Sequence, residues 1–221
     1  MTILLLTPWL ALAGDVPEAF LPIEDDPNLP RVLLIGDSIS MGYTLPVREK
    51  LAGEANVHRP AENCGPTSRG IAKLESWLGD GNWDVIHFNF GLHDLKITED
   101  GTHQVPIEQY ESNLEQTVAR MKQTGAELVW ASTTPVPDPV NGPARHAEDV
   151  VRYNAVAEAI MREHSVAIDA LYEFALPQLT IIQRPENVHF SPEGSEVLAR
   201  QVAESLRQAL AGRKTSILGG P

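Results

Sequence analysis

The stretch Arg31-Val-Leu-Leu-Ile-Gly36-Asp37-Ser38-Ile39-Ser40-Met41-Gly42 decides how the rest of the chain is read. Its first half is a short apolar run ending in glycine, the pattern of a strand buried on both faces. Its second half is small and polar, so the chain turns there and a helix begins. Similar runs recur at Ala55–His58, Trp83–Phe90, Ala126–Thr133 and Val166–Asp169. Between them the apolar residues fall at helical spacing: Ile107, Tyr110, Leu114, Val118 and Met121, then Val150, Tyr153, Ala157 and Ile160. Leu198, Val202, Leu206 and Ala209 repeat that stripe in a last helix, opened by Ser191 as N-cap and Pro192 at the first helical position. Strands alternating with helices predict an α/β fold with a parallel sheet covered on both faces, and ligands beyond the carboxyl ends of its strands.

The chain has 221 residues, 43% of them apolar, enough for one substantial core in a single domain. Its formal net charge is −13. A binder of nucleic acid neutralises phosphates with clustered Lys and Arg, which this balance disfavours, and an anionic membrane would repel it. Residues 1–30 hold Asp15, Glu18, Glu24, Asp25 and Asp26 and no Lys or Arg, so five of the thirteen charges belong to a Pro-rich leader. The leader opens with an apolar run, Ile3 to Ala13, that ends in small residues like a signal-peptidase site. Export to the periplasm or outside the cell is the expectation, although the run lacks a basic start. The alternatives are an apolar arm packed on the domain and a cytoplasmic protein. No stretch approaches transmembrane length. The expected layout is therefore a leader over 1–30, a domain over 31–211 and a loose tail over 212–221. Cys64 is the single cysteine and cannot form an internal disulfide.

Ser38 stands at the strand-to-helix turn on the ligand edge, with its own amide in a first helical turn where anions are favoured. That suits a nucleophile, which needs a base, usually a histidine held by a carboxylate. His189 supplies the base in Glu186-Asn-Val-His189-Phe-Ser-Pro192, a loop before the last helix that can return to the same edge. Glu186, three residues earlier, is the candidate carboxylate. An oxyanion hole needs donors aimed at the charge developing on a carbonyl oxygen. The amides of Ser38 and Gly65 and the ring N–H of His93 are the candidates.

These residues resemble the GDSL/SGNH hydrolase superfamily. Its four blocks occur here in order: Gly36-Asp37-Ser38, the glycine region Asn63–Gly70, Gly91-x-His93-Asp94, and Glu186-x-x-His189, within Arg31 to Leu210. The resemblance implies a flavodoxin-like three-layer α/β/α sandwich with a mainly parallel five-stranded sheet. It also implies hydrolysis of an ester, less often a thioester, with Ser38 as nucleophile and His189 as base. Two positions depart from the family pattern. His93 stands where the family has an asparagine that donates to the oxyanion, and a neutral imidazole still has one N–H to give. Glu186 stands where the family has aspartate, leaving open a Ser-His dyad with a backbone acceptor. Gly70 is the alternative to Gly65 in the hole.

The expected substrate is a short-chain, acetylated carbohydrate, which the family resemblance, the expected export and the absence of a long apolar lid segment together favour over a lipid. A binding domain without catalysis, and a lipase, lysophospholipase or thioesterase, are the other readings. Asp37, Asn89 and Asp94 are expected behind the site or on the substrate. Arg69, Arg145 and His146 are titratable or positive groups for an acidic or hydroxyl-rich substrate, or else ordinary surface charges. His87 and Asn89 alternate inward on the third strand, as support for the site or as satisfied core groups. His87, His93 and Asp94 lack the spacing of a closed metal site, so neither metal nor cofactor is expected. Thr134–Pro143 leaves the fourth strand as a Pro-rich loop able to shape access.

Overall fold

A computed structural model describes residues 16–218, with side chains to residue 213. The strands are β1 (Arg31–Ile35), β2 (Asn56–His58), β3 (Val85–Phe88), β4 (Glu127–Ala131) and β5 (Ala167–Asp169). The helices are α1 (Ser38–Lys50), α2 (Thr67–Leu78), α3 (Ile107–Lys122), α4 (Ala147–Glu163), the short α5 (Leu171–Ala175) and α6 (Leu179–Ile182), and α7 (Pro192–Leu218). All five strands are parallel in the order β2-β1-β3-β4-β5. This is the flavodoxin-like order, whose switch point lies between β1 and β3. Helices α1 and α7 pack together on one face, and α2, α3 and α4 follow one another on the other.

Burial explains the apolar runs. Val32, Leu33, Leu34 and Ile35 are all buried, as are Val85, Ile86 and Phe88 beside them. β1 is in register with β3 from Val32 opposite Val85 to Ile35 opposite Phe88. The edge strands β2 and β5 are three residues each, and Ala167 and Ile168 of β5 are exposed. His87 is buried on β3 and meets Asp169 on β5 at 3.1 Å, while Asp169 also accepts from Gln201 at 2.9 Å. Asn89 donates to the Ala131 carbonyl at 2.7 Å. His87 is a core group with a partner, and the half-buried Asn89 is held by a backbone carbonyl.

The last helix starts as its sequence predicts, with the Ser191 hydroxyl accepting from the Gly194 amide at 2.9 Å. A Cβ on Gly194 would lie 2.0 Å from the Ile182 carbonyl oxygen, so glycine lets α7 start hard against α6. The helix continues to Leu218, past Gly212, where a loose tail was expected. Arg213 accounts for part of this by donating to Asp84 at 3.0 Å and to the Gly125 carbonyl.

The acidic segment after residue 15 lies against the domain rather than apart from it. Asp25 binds both Arg31 (2.8 Å) and His58 (2.7 Å), and Asn56 holds the backbone of Asp26 and Leu29. The expected signal-peptidase site lies outside the described residues. Among the described residues no helix is long and apolar enough to cross a membrane.

Candidate active site

Each loop bearing a predicted site residue leaves the carboxyl edge of the sheet or returns to it. Asp37 caps α1 by accepting from the Ile39 amide at 2.9 Å, which fixes the turn that presents Ser38. The half-buried Ser38 is the first residue of that helix, where an amide has no intrahelical acceptor. Arg59 braces the turn from below. Its buried guanidinium donates to the Gly36 carbonyl, the Ser40 hydroxyl and Thr44 at 3.0–3.2 Å.

His189 crosses 151 residues of sequence to reach the serine, Nε2 to Oγ at 2.9 Å. Its other nitrogen, Nδ1, is 2.8 Å from Oδ1 of Asn187, and the same oxygen accepts from the His189 backbone N–H at 2.9 Å. An atom that accepts from a backbone amide is the oxygen, so Nδ1 carries the proton and Nε2 is left as the base facing Ser38. Glu186 is displaced from the role expected for it. Its φ is +52°, and its carboxylate accepts from the Asn141 side chain at 2.9 Å while its carbonyl accepts from the Asn141 amide at 2.6 Å. Glu186 thus fastens the His189 loop to the loop after β4, and Asn187 holds the imidazole.

Burial holds the His189 pKa below its ordinary value, and the charges of Arg184 and Arg145 act in the same direction against the pull of Asp37. His93 is half-buried within electrostatic reach of His189, Asp37 and Arg145. Desolvation lowers its pKa as well, which favours the neutral ring with one N–H to donate. Arg145 is buried, not a surface charge. Nε donates to the Leu92 carbonyl at 2.7 Å and Nη1 to that of Pro143 at 3.1 Å, with no carboxylate partner among the described residues.

Other predicted residues take structural positions. The Gly65 amide donates to Asn63 Oδ1 at 2.9 Å, so in this conformation it is engaged and not open to a ligand. Gly70 lies within α2, its amide bonded to the Pro66 carbonyl, and a Cβ there would meet Phe90 at 3.0 Å. It is a packing glycine. Arg69 is paired with Glu62 at the surface. Asp94 accepts from the Thr67 amide (2.8 Å) and hydroxyl (2.5 Å), tying the third block to the start of α2. Burial pushes its carboxyl up to about 7. Cys64 is buried, and its thiol is pushed up to about 12, so it is not a reactive thiolate at neutral pH.

Against Ser38 and His189 opens a cavity of about 480 Å³, lined also by Ile39, Pro46, Phe190 and Arg184. Nothing in the sequence marks Arg184 or Asn187 as site residues; the fold places Asn187 on the His189 ring and the exposed Arg184 along the cavity wall.

A serine on a strand-to-helix turn, bonded to a histidine from the loop before the last helix of a parallel α/β sheet, is the arrangement of a serine hydrolase. The match of residues 34–197 to the model of the GDSL-like lipase/acylhydrolase family is more specific, and the chain belongs to that family. Solved structures share its fold at low sequence identity. An acetyl xylan esterase, AlAXEase, is 13% identical with a TM-score of 0.69, over 80% of this chain and 99% of that one. A lipase/acylhydrolase from Enterococcus faecalis is 18% identical with a TM-score of 0.67, over 81% and 96%. An acetylxylan esterase from Geobacillus stearothermophilus is 16% identical with a TM-score of 0.64, over 80% and 94%. No curated protein matches the chain by sequence.

Proposed function

We propose that the chain is a serine esterase that removes short acyl groups, acetyl foremost, from a carbohydrate alcohol through a Ser38–His189 pair oriented by Asn187. The single observation that carries this reading is the 2.9 Å contact between His189 Nε2 and Ser38 Oγ. In the first half-reaction His189 takes the Ser38 proton as Oγ attacks the ester carbonyl. The oxyanion so formed is met by the Ser38 amide and by the neutral His93 ring. The carbonyl re-forms as the alcohol leaves, taking the proton from His189. Water, activated by the same histidine, then attacks the acyl-Ser38 and releases the acid.

Asn187 in the orienting position changes the electrostatics. A carboxylate there would stabilise the imidazolium formed during attack; an amide oxygen offers only a dipole. The reading therefore carries a base of lowered pKa, ready at mildly acid pH. The acetyl assignment is supported by the acetyl xylan esterases among the structural neighbours. The test is hydrolysis of p-nitrophenyl acetate and acetate release from a panel of acetylated sugars. Ser38→Ala is expected to abolish both while the protein stays folded by circular dichroism. Retained turnover in that variant would remove Ser38 from the reaction.

A further inference from the structure

Around a chain of net charge −13, the charges that bear on His189 are two cations, Arg184 and Arg145, and one carboxylate, Asp37. Arg145 is anchored to two backbone carbonyls. Arg184 is not. It is exposed, its backbone amide donates to the His189 carbonyl at 3.0 Å, and its guanidinium has no hydrogen-bond or ion-pair partner among the described residues. The nearest carboxylate in sequence, Glu186, is taken by Asn141. Of the other arginines among the described residues, all but Arg200 donate to a carboxylate, carbonyl or hydroxyl.

Arg184 also lines two cavities, the second of which Glu186 lines as well. The first is the 480 Å³ cavity of Ser38 and His189, and the second, of about 320 Å³, is bounded by Pro137, Leu179 and Pro185. An acetyl group alone does not fill the first. The remaining space has room for the alcohol portion of the ester beside Arg184. A free guanidinium in that position offers a planar fork of donors suited to a carboxylate or a phosphate.

We propose that Arg184 is a specificity-determining residue that selects esters whose alcohol carries an anionic group, as an acetylated uronic acid does. The proposal rests on the esterase reading above and deepens it. The interaction is made away from the reacting atoms, so it should act chiefly through KM.

The test compares 4-acetoxybenzoate and 4-acetoxyphenyl phosphate with the neutral 4-acetoxybenzamide. The quantity read is kcat/KM for each anionic ester divided by that for the neutral one. Arg184→Gln should lower this ratio about fivefold for at least one anion, the size expected of a pair at a solvent-accessible site. Arg184→Lys should restore part of it, and raising salt to about 0.5 M should shrink the wild-type ratio toward that of the variant. Which of the two probes shows the drop tells carboxylate from phosphate. Equal ratios in wild type and Arg184→Gln for both anions would overturn the proposal while leaving the esterase reading intact. A wild-type protein that cleaves none of the three would remove that reading and this proposal with it.

Discussion

Among the described residues four histidines, His58, His87, His103 and His189, have a side-chain oxygen on one ring nitrogen, and of these only His189 also touches a serine; His87 and His189 make the sharpest contrast. His87, in the middle of the sheet, has the partner usually sought in a triad, the carboxylate of Asp169 at 3.1 Å, with both side chains fully buried. Its other nitrogen has no hydrogen-bond partner among the described residues, and its ring stands perpendicular to that of Tyr43. His189, at the carboxyl edge, has an amide oxygen from Asn187 in place of a carboxylate and the Ser38 hydroxyl on its other nitrogen. The carboxylate-bearing pair joins β3 and β5, and the pair with the weaker orienting group is the one to which we assign the chemistry. Position at the strand ends, more than the identity of the acceptor, separates the two roles.

Mutations that exchange the partners should sharpen that contrast. The largest effect is expected for Asn187→Ala, which frees the His189 ring; misorientation of a base costs about 10²-fold in kcat, read with p-nitrophenyl acetate at saturating substrate. In the sheet the corresponding loss is one of stability. Asp169→Ala leaves His87 buried without its partner and should lower the unfolding free energy by about 3 kcal/mol in urea denaturation, with the folded fraction retaining its kcat. An unchanged midpoint would mean that the pair contributes nothing to the sheet.

The pH profile offers a finer test. Burial holds His189 below its ordinary pKa, and the base is the neutral form, so kcat/KM should rise through an ionisation below about pH 6.5 and stay level above it. Asn187→Asp puts a carboxylate beside Nδ1, favours the imidazolium, and should move that acid limb to higher pH. A limb that stays in place would show that residue 187 does not face the ring in solution. The smallest effect is predicted for Glu186→Gln, which keeps the contact to Asn141 and should change kcat by less than about twofold, since it touches neither His189 nor Ser38.

Much of this was legible in the sequence, and the reasons for the rest are local. The run of residues 31–35 reads as a strand because burial on both faces leaves no polar position, and the same logic finds β3 and β4. Ser38 and His189 follow from their places at a strand end and before a helix. Glu186 has a left-handed backbone and its carboxylate binds Asn141 in this structure, a turn that spacing alone does not reveal. Arg145 read as a substrate-binding or surface charge, because nothing in its sequence shows that the Leu92 carbonyl, 53 residues away, would join its neighbour Pro143 in holding it. Gly65 read as an open donor, and an asparagine two residues earlier occupies its amide.

We propose that His189 makes Ser38 a nucleophile without a carboxylate behind it. Treatment of the full chain with a fluorophosphonate, followed by peptide mass spectrometry, tests it most directly. The account predicts one covalent adduct on Ser38, absent in Ser38→Ala, strongly slowed in His189→Ala and formed at near wild-type rate in Glu186→Gln. A folded wild-type protein that leaves Ser38 unmodified, or one whose labelling is lost on removing the Glu186 carboxylate, would contradict it.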